Sequence, residues 1–220
     1  REAKILKAYR TVYTGGTGEI VEKRSRFIAD VFPVSGEEEA LEYLEGIRKK
    51  YWDARHHCWA YVTGDDPAVE RMSDDGEPAG TAGKPILEVI RGRKLTNVLV
   101  VVTRYFGGTL LGTGGLVRAY TSSAAAGLDH SKIITKIRGF KLKITTDYTG
   151  LGKIQYLLGQ RGIKTLDSSY TDRVELTVLV PEEEEEKLRA DIMDGTNGQA
   201  VMETGDGCWF ASIDGEIQIF

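Results

Sequence analysis

Two stretches of this 220-residue chain carry side chains of the types and spacing that do chemistry. The first is Ser73-Asp74-Asp75-Gly76-Glu77-Pro78, with three carboxylates inside four residues. Carboxylate oxygens so close together could hold a divalent cation, or they could orient arginines through ion pairs. The second is Arg104 to Arg118, RYFGGTLLGTGGLVR. Gly107, Gly108, Gly112, Gly114 and Gly115 let the backbone adopt φ > 0 and approach another group closely. An arginine, a glycine loop and a helix start with Arg118 in its early turns make an anion site, because backbone N–H groups and the positive helix end would face one point. Lys84 and Arg55 could join that basic set. The candidate anion- or nucleic-acid-binding residues are therefore Arg104, Gly107, Gly108, Gly112, Gly114, Arg118, Lys84 and Arg55. Asp74, Asp75 and Glu77 are the candidate metal ligands or arginine-orienting groups. In the plainer reading the glycines make tight turns and Arg104 pairs with an Asp or Glu.

Named phosphate motifs fail here. A P-loop needs Gly-Lys followed by Ser or Thr, but Gly83-Lys84 is followed by Pro85. A dinucleotide fingerprint counted from Gly112 and Gly114 meets Val117 where a small residue must pack. The calcium-loop pattern is absent from the acidic stretch. His56 and His57 are adjacent on an expected strand, where neighbours point to opposite faces, and no zinc-like ligand spacing surrounds them. The same geometry argues against a His57–Cys58 thiol nucleophile.

The elements that must position these residues follow from periodicity. Val98 to Val102 is an unbroken apolar run, suited to a central strand buried on both faces. Residues 4–34 read as extended, with a turn at Gly15-Gly16-Thr17-Gly18 and with Lys23, Arg24 and Arg26 on an exposed strand face. Ser35 and Glu38 form a capping box before a helix marked by Ala40, Leu41, Leu44 and Ile47. His57 to Thr63 alternates as a strand. Gly64 to Lys84 reads as one long acidic loop, and Pro85 to Ile90 as a short helix. Beyond Ile137 the pattern becomes strand, helix, strand, strand, helix, strand. Asp147 caps the first of these helices, Pro181 opens the second, and a last strand lies within Ala200 to Ile219. That order is the ferredoxin-like βαββαβ arrangement.

Whole-chain quantities limit the function classes. Net charge is −4, yet residues 1–137 sum to +2 and residues 138–220 to −6. A uniformly basic nucleic-acid surface is excluded, and only a local patch could serve. The asymmetry supports domains at 1–137 and 138–220. Cys58 and Cys208 lack Cys-x-x-Cys spacing and read as reduced thiols. Neither a membrane-spanning apolar run nor the apolar core of a signal peptide is visible, so a cytoplasmic location is expected.

Val101-Val102-Thr103-Arg104-Tyr105-Phe106-Gly107-Gly108 with Leu111-Gly112 resembles one signature of the IMPACT family, which includes the YigZ-like bacterial proteins. Asp74-Asp75-Gly76-Glu77-Pro78-Ala79-Gly80-Thr81-Ala82-Gly83 followed by Pro85 is similar to its other hallmark. The resemblance covers about Thr11 to Ile137 and extends to the small C-terminal domain of bacterial members. It implies an α+β chain, with an N-terminal domain like ribosomal protein S5 domain 2 and a ferredoxin-like C-terminal domain. It also implies translation regulation, because eukaryotic members compete for the ribosome-associated activator of a stress kinase. Three functions follow for the two loops. One is a translation-associated binding protein for structured RNA or a ribosome-associated protein. Another is a structural clasp in which the loops only pack together. The third is a small metal-dependent hydrolase or phosphoryl-transfer enzyme using Asp74, Asp75, Glu77 and Arg104. No cofactor other than a divalent cation is suggested.

Overall fold

The computed structural model describes residues 7–64 and 67–220. Lys4, Ile5 and Leu6 of the expected extended segment, and Asp65 and Asp66 of the expected acidic loop, lie outside the described residues. The chain forms two compact units, the first ending at Thr135 and the second running from Lys136 to Phe220. Both are α+β. No helix among the described residues is long and apolar enough to cross a membrane.

The first unit contains β1 (Ala8–Thr14), β2 (Thr17–Glu22), β3 (Ser25–Pro33), α1 (Glu37–Lys50), β4 (His56–Thr63), β5 (Val69–Ser73), α2 (Gly83–Gly92), β6 (Val98–Tyr105) and α3 (Gly112–Asp129). Its antiparallel sheet has the order β2-β3-β6-β4-β5, so the apolar run sits in the central strand. Val98, Val100 and Val102 face a core shared with Ile86 and Ile90 of α2 and Tyr120 and Ala124 of α3. Leu99 and Val101 face Ala40, Leu44 and Ile47 of α1 on the other side. Helices on both faces explain why β6 has no polar alternation. Each fully buried valine contributes about 1.5 kcal/mol or more by leaving water.

Several local expectations are corrected. Gly36, not Ser35, is the N-cap of α1, and Glu39 rather than Glu38 reaches back, its Oε2 accepting from Ser35 N–H and Oγ–H at 2.6 Å each. No capping box forms, because the N-cap glycine has no side chain to bond the first turn and Glu39 bonds the residue before it. Lys23 and Arg24 do not lie on a strand face. They form the two-residue β2–β3 turn with φ of 46° and 66°, the positive pair that matches hairpin twist. The stretch from Gly64 to Lys84 is not one loop, since β5 pairs with β4 inside it.

The second unit is built from β7 (Lys132–Thr146), whose first residues lie before the boundary, α4 (Tyr148–Gln160), β8 (Thr165–Tyr170), β9 (Val174–Pro181), a 3-10 turn at Glu182–Glu184, α5 (Glu185–Gly195), β10 (Val201–Ile213) and β11 (Glu216–Ile219). Strand order β11-β10-β7-β9-β8 is the ferredoxin-like sheet with one strand added. Ile154 and Leu158 of α4 and Leu188 and Ile192 of α5 cover one sheet face. Asp147 caps α4, its Oδ1 accepting from Gly150 N–H at 2.8 Å. The expected last strand is a hairpin turning at Asp214-Gly215, both at positive φ.

Candidate functional site

Arg104 falls two residues after Val102 on β6, so the period of two turns its side chain into the same core. It is 6% exposed. A buried guanidinium needs a counter-charge, and the acidic loop supplies one. Arg104 Nη1 donates to Glu77 Oε1 at 2.6 Å, and both side chains are buried. Tyr120 of α3 donates its hydroxyl to the same oxygen at 2.7 Å. Cys58 Sγ lies 3.0 Å from the Asp74 carbonyl oxygen, which can only accept, and 3.3 Å from Tyr120 Oη. Burial pushes both the Cys58 thiol and the Tyr120 hydroxyl well up from their ordinary values. Cys58 thus stays a thiol and offers no nucleophile. The guanidinium also lies over two rings, 5.4 Å from the Phe27 centroid and 5.7 Å from that of Phe106.

The other two carboxylates serve the backbone. Asp74 accepts from the N–H groups of Gly80, Ala82 and Gly83 at 2.8, 3.1 and 2.8 Å, closing the start of α2. Asp75 Oδ2 accepts from His57 N–H at 2.7 Å, and its carbonyl oxygen meets His56 Nδ1 at 2.9 Å. Each of the three expected metal ligands is therefore turned to a different partner. Among the described residues, no group of three or more His, Cys, Asp and Glu side chains is placed to hold a metal.

The Arg104–Glu77 pair forms part of the wall of a cavity of about 690 Å³. Apolar surface comes from Ala54, Pro78, Tyr105, Phe106, Leu110, Leu111 and Leu116, and polar groups from Asp53, Arg55 and His56. Gly112 and Thr113, the first residues of α3, complete it. No side chain caps α3 and no acidic residue lies in its first turn. Phe106 and Leu110 stand at the rim, 55% and 82% exposed. Tyr105 donates to Asp53 Oδ1 at 2.7 Å, and burial together with this bond pushes its hydroxyl up to about 12.

The structure brings Arg104, Arg55, Gly112 and Glu77 to this one cavity. Gly107 lies just outside, donating its N–H to Ser25 Oγ at 3.1 Å, with Gly108 next to it at φ 86°. Gly112 and Gly114 lie within α3 rather than in a loop before it. Arg118 is not at the cavity. Six residues beyond Gly112 it is about 240° round the helix, where it lines a second groove with Lys23 and Glu22. Leu111 forms part of both walls. Lys84 lines neither, because Pro85, Ile86 and Ile90 turn the other side of α2 into the core and leave Lys84 in solvent. Sequence reasoning missed Tyr120 and Ser25 as partners of the network, and Phe106 and Leu110 as rim residues. The signal for the last two was apolar side chains among glycines, outside any periodic pattern.

Residues 23–128 match the family described as Impact N-terminal domain, and residues 144–199 match a domain of unknown function, DUF1949. The chain is 40% identical over 202 residues to IMPACT family member YvyE of Bacillus subtilis, covering 92% of this chain and 93% of that protein. It is 40% identical over 178 residues to IMPACT family member YigZ of Escherichia coli, covering 80% and 87%. A crystal structure of a hypothetical protein, 35% identical, superposes with a TM-score of 0.59 over 92% of this chain and 99% of that one.

Proposed function

The chain belongs to the IMPACT family, and on that footing we propose that it is a cytoplasmic, translation-associated regulator that contacts structured RNA through the Arg104 cavity. Family membership supports the translation half of this reading, through the regulatory role that the resemblance ascribes to eukaryotic members. The RNA half is carried by one observation. The uncapped first turn of α3 opens beside Arg55 at a cavity with an exposed aromatic on its rim. Phosphate oxygens suit unpaired helix N–H groups and a guanidinium, and a ring face suits a base. Arg118 and Lys23 in the adjoining groove would extend the phosphate path across Leu111. Arg104 itself, held by Glu77, acts as the scaffold of the site rather than as a free phosphate ligand. The hydrolase reading has no observation in its favour, because Asp74, Asp75 and Glu77 are each engaged by donors of this chain.

The test is filter binding of ribosomal RNA fragments across salt concentration. Two to three phosphate contacts predict that log K falls against log salt with a slope of about −1.5 to −2.5. Absence of binding at low salt, or a flat salt dependence, refutes the reading.

A further inference from the structure

We infer that the cavity is a pocket for one unstacked nucleotide, with the base in the apolar slot and its phosphate at the first turn of α3. The inference rests on the RNA-contact reading and narrows it to unpaired RNA.

Three independent features converge on a flat, heteroatom-bearing ring joined to an anion. The slot between Pro78, Phe106, Leu110 and Leu116 falls in the usual size range of ligand pockets, and only a base splayed out of a helix could enter it. Its wall is not inert, because His56 lines it beside these apolar groups. The Asp75 carbonyl oxygen can only accept, so Nδ1 carries the proton, and Nε2 is left as an acceptor on a side chain that lines the cavity. A nucleobase edge offers the donor that this nitrogen accepts from, whereas a phenyl or alkyl side chain of a protein partner would leave it unmet.

The anion position is set by backbone. Gly112 has φ of 73°, and a Cβ there would meet nothing within 4 Å, so the space beside the start of α3 is open to an approaching phosphate. Glycine is the residue that permits this conformation and this approach together. At the rim, Phe106 presents its exposed ring to a base, while Arg104 lies over the ring at 5.7 Å.

The experiment is amide NMR of the full chain titrated with AMP, GMP, CMP and UMP, with inorganic phosphate and N-acetyl-tyrosinamide as separate probes. It is paired with anisotropy measurements on a hairpin RNA carrying a one-nucleotide bulge and on its fully paired counterpart. The pocket predicts nucleotide-induced shifts at His56 and at Leu110 to Thr113, with inorganic phosphate needing about tenfold higher concentration. It also predicts that the bulged hairpin binds about tenfold more tightly, the size of one base–aromatic stack. Leu110→Ala, at a position 82% exposed and so sparing the fold, is expected to reduce that preference severalfold. Equal affinity for the two hairpins with no nucleotide shifts overturns the pocket and leaves the RNA-contact reading standing. Nucleotide shifts without binding of either hairpin support the pocket and refute the RNA-contact reading. Shifts produced by N-acetyl-tyrosinamide in place of nucleotides assign the cavity to a protein side chain and overturn the inference.

Discussion

Glu77→Ala is the most informative single perturbation of the first unit. Glu77 and Arg104 side chains are 4% and 7% exposed, and their closest atoms are 2.6 Å apart. Removing the carboxylate leaves the guanidinium buried, with Ser25 Oγ at 3.5 Å as its remaining side-chain oxygen. It also strips Tyr120 of its acceptor. Breaking a buried pair from one side costs about 3–5 kcal/mol, most of it from the charge left behind. For a chain of this size that is a fall in melting temperature on the order of 10 °C. Replacing both partners, Glu77→Leu with Arg104→Met, is expected to cost less than Glu77→Ala alone, because no buried charge is left unmatched. Urea unfolding in a Trp209→Phe background isolates the first unit, leaving Trp52 and Trp59 as reporters. Labelling of Cys58 by a thiol reagent in a Cys208→Ser background supplies a second readout, since Cys58 is fully buried and reacts only on opening. A cost below about 1 kcal/mol, with Cys58 still protected, would refute the claim that this pair holds the two loops together.

Two further perturbations follow from the same geometry. A Cβ at Gly107 would lie 2.1 Å from the Arg24 carbonyl carbon, backbone that cannot rotate away, whereas at Gly112 it would meet open space. Gly107→Ala is therefore expected to cost about 2–3 kcal/mol and Gly112→Ala about 1 kcal/mol, from its positive φ alone; urea midpoints give the order. Hydrogen bonds from Ser35 Oγ–H and N–H hold Glu39 below the ordinary carboxylate value of 4.5. The stabilisation is thus present above that value and lost as pH falls through the lowered one, so the gap between wild type and Glu39→Gln at pH 7 should close as pH falls below the ordinary carboxylate range.

Much of this architecture could be read before any coordinates. The Val98–Val102 run named the central strand because helices cover both of its faces, and the Ala40–Leu44–Ile47 repeat named the face that α1 buries. The alternation of Phe140, Leu142 and Ile144 marked a strand facing the α4–α5 layer. Turns without glycine were harder. Lys23 and Arg24 adopt the left-handed backbone that a two-residue hairpin turn requires, and Gly107 packs against Arg24 from a loop some 80 residues later, a contact without local signature. Within the site, the parity of Arg104 with Val102 already implied a buried guanidinium, and hence a carboxylate. Which of three neighbouring carboxylates would answer it depended on a turn at Asp75-Gly76, both at positive φ. That turn sends Asp74 to α2 and Glu77 to Arg104. Arg118 and Lys84 fall outside the cavity for one reason, since proximity in sequence to a glycine loop says nothing about which side of a helix a residue occupies.

The most direct measurement is the salt dependence of RNA binding for wild type beside Arg55→Ala, an exposed residue at the cavity whose loss leaves the buried network intact. If the cavity takes a phosphate, the variant binds more weakly, and its log K against log salt slope is shallower by about one unit. An identical slope and affinity in the two proteins would contradict the account.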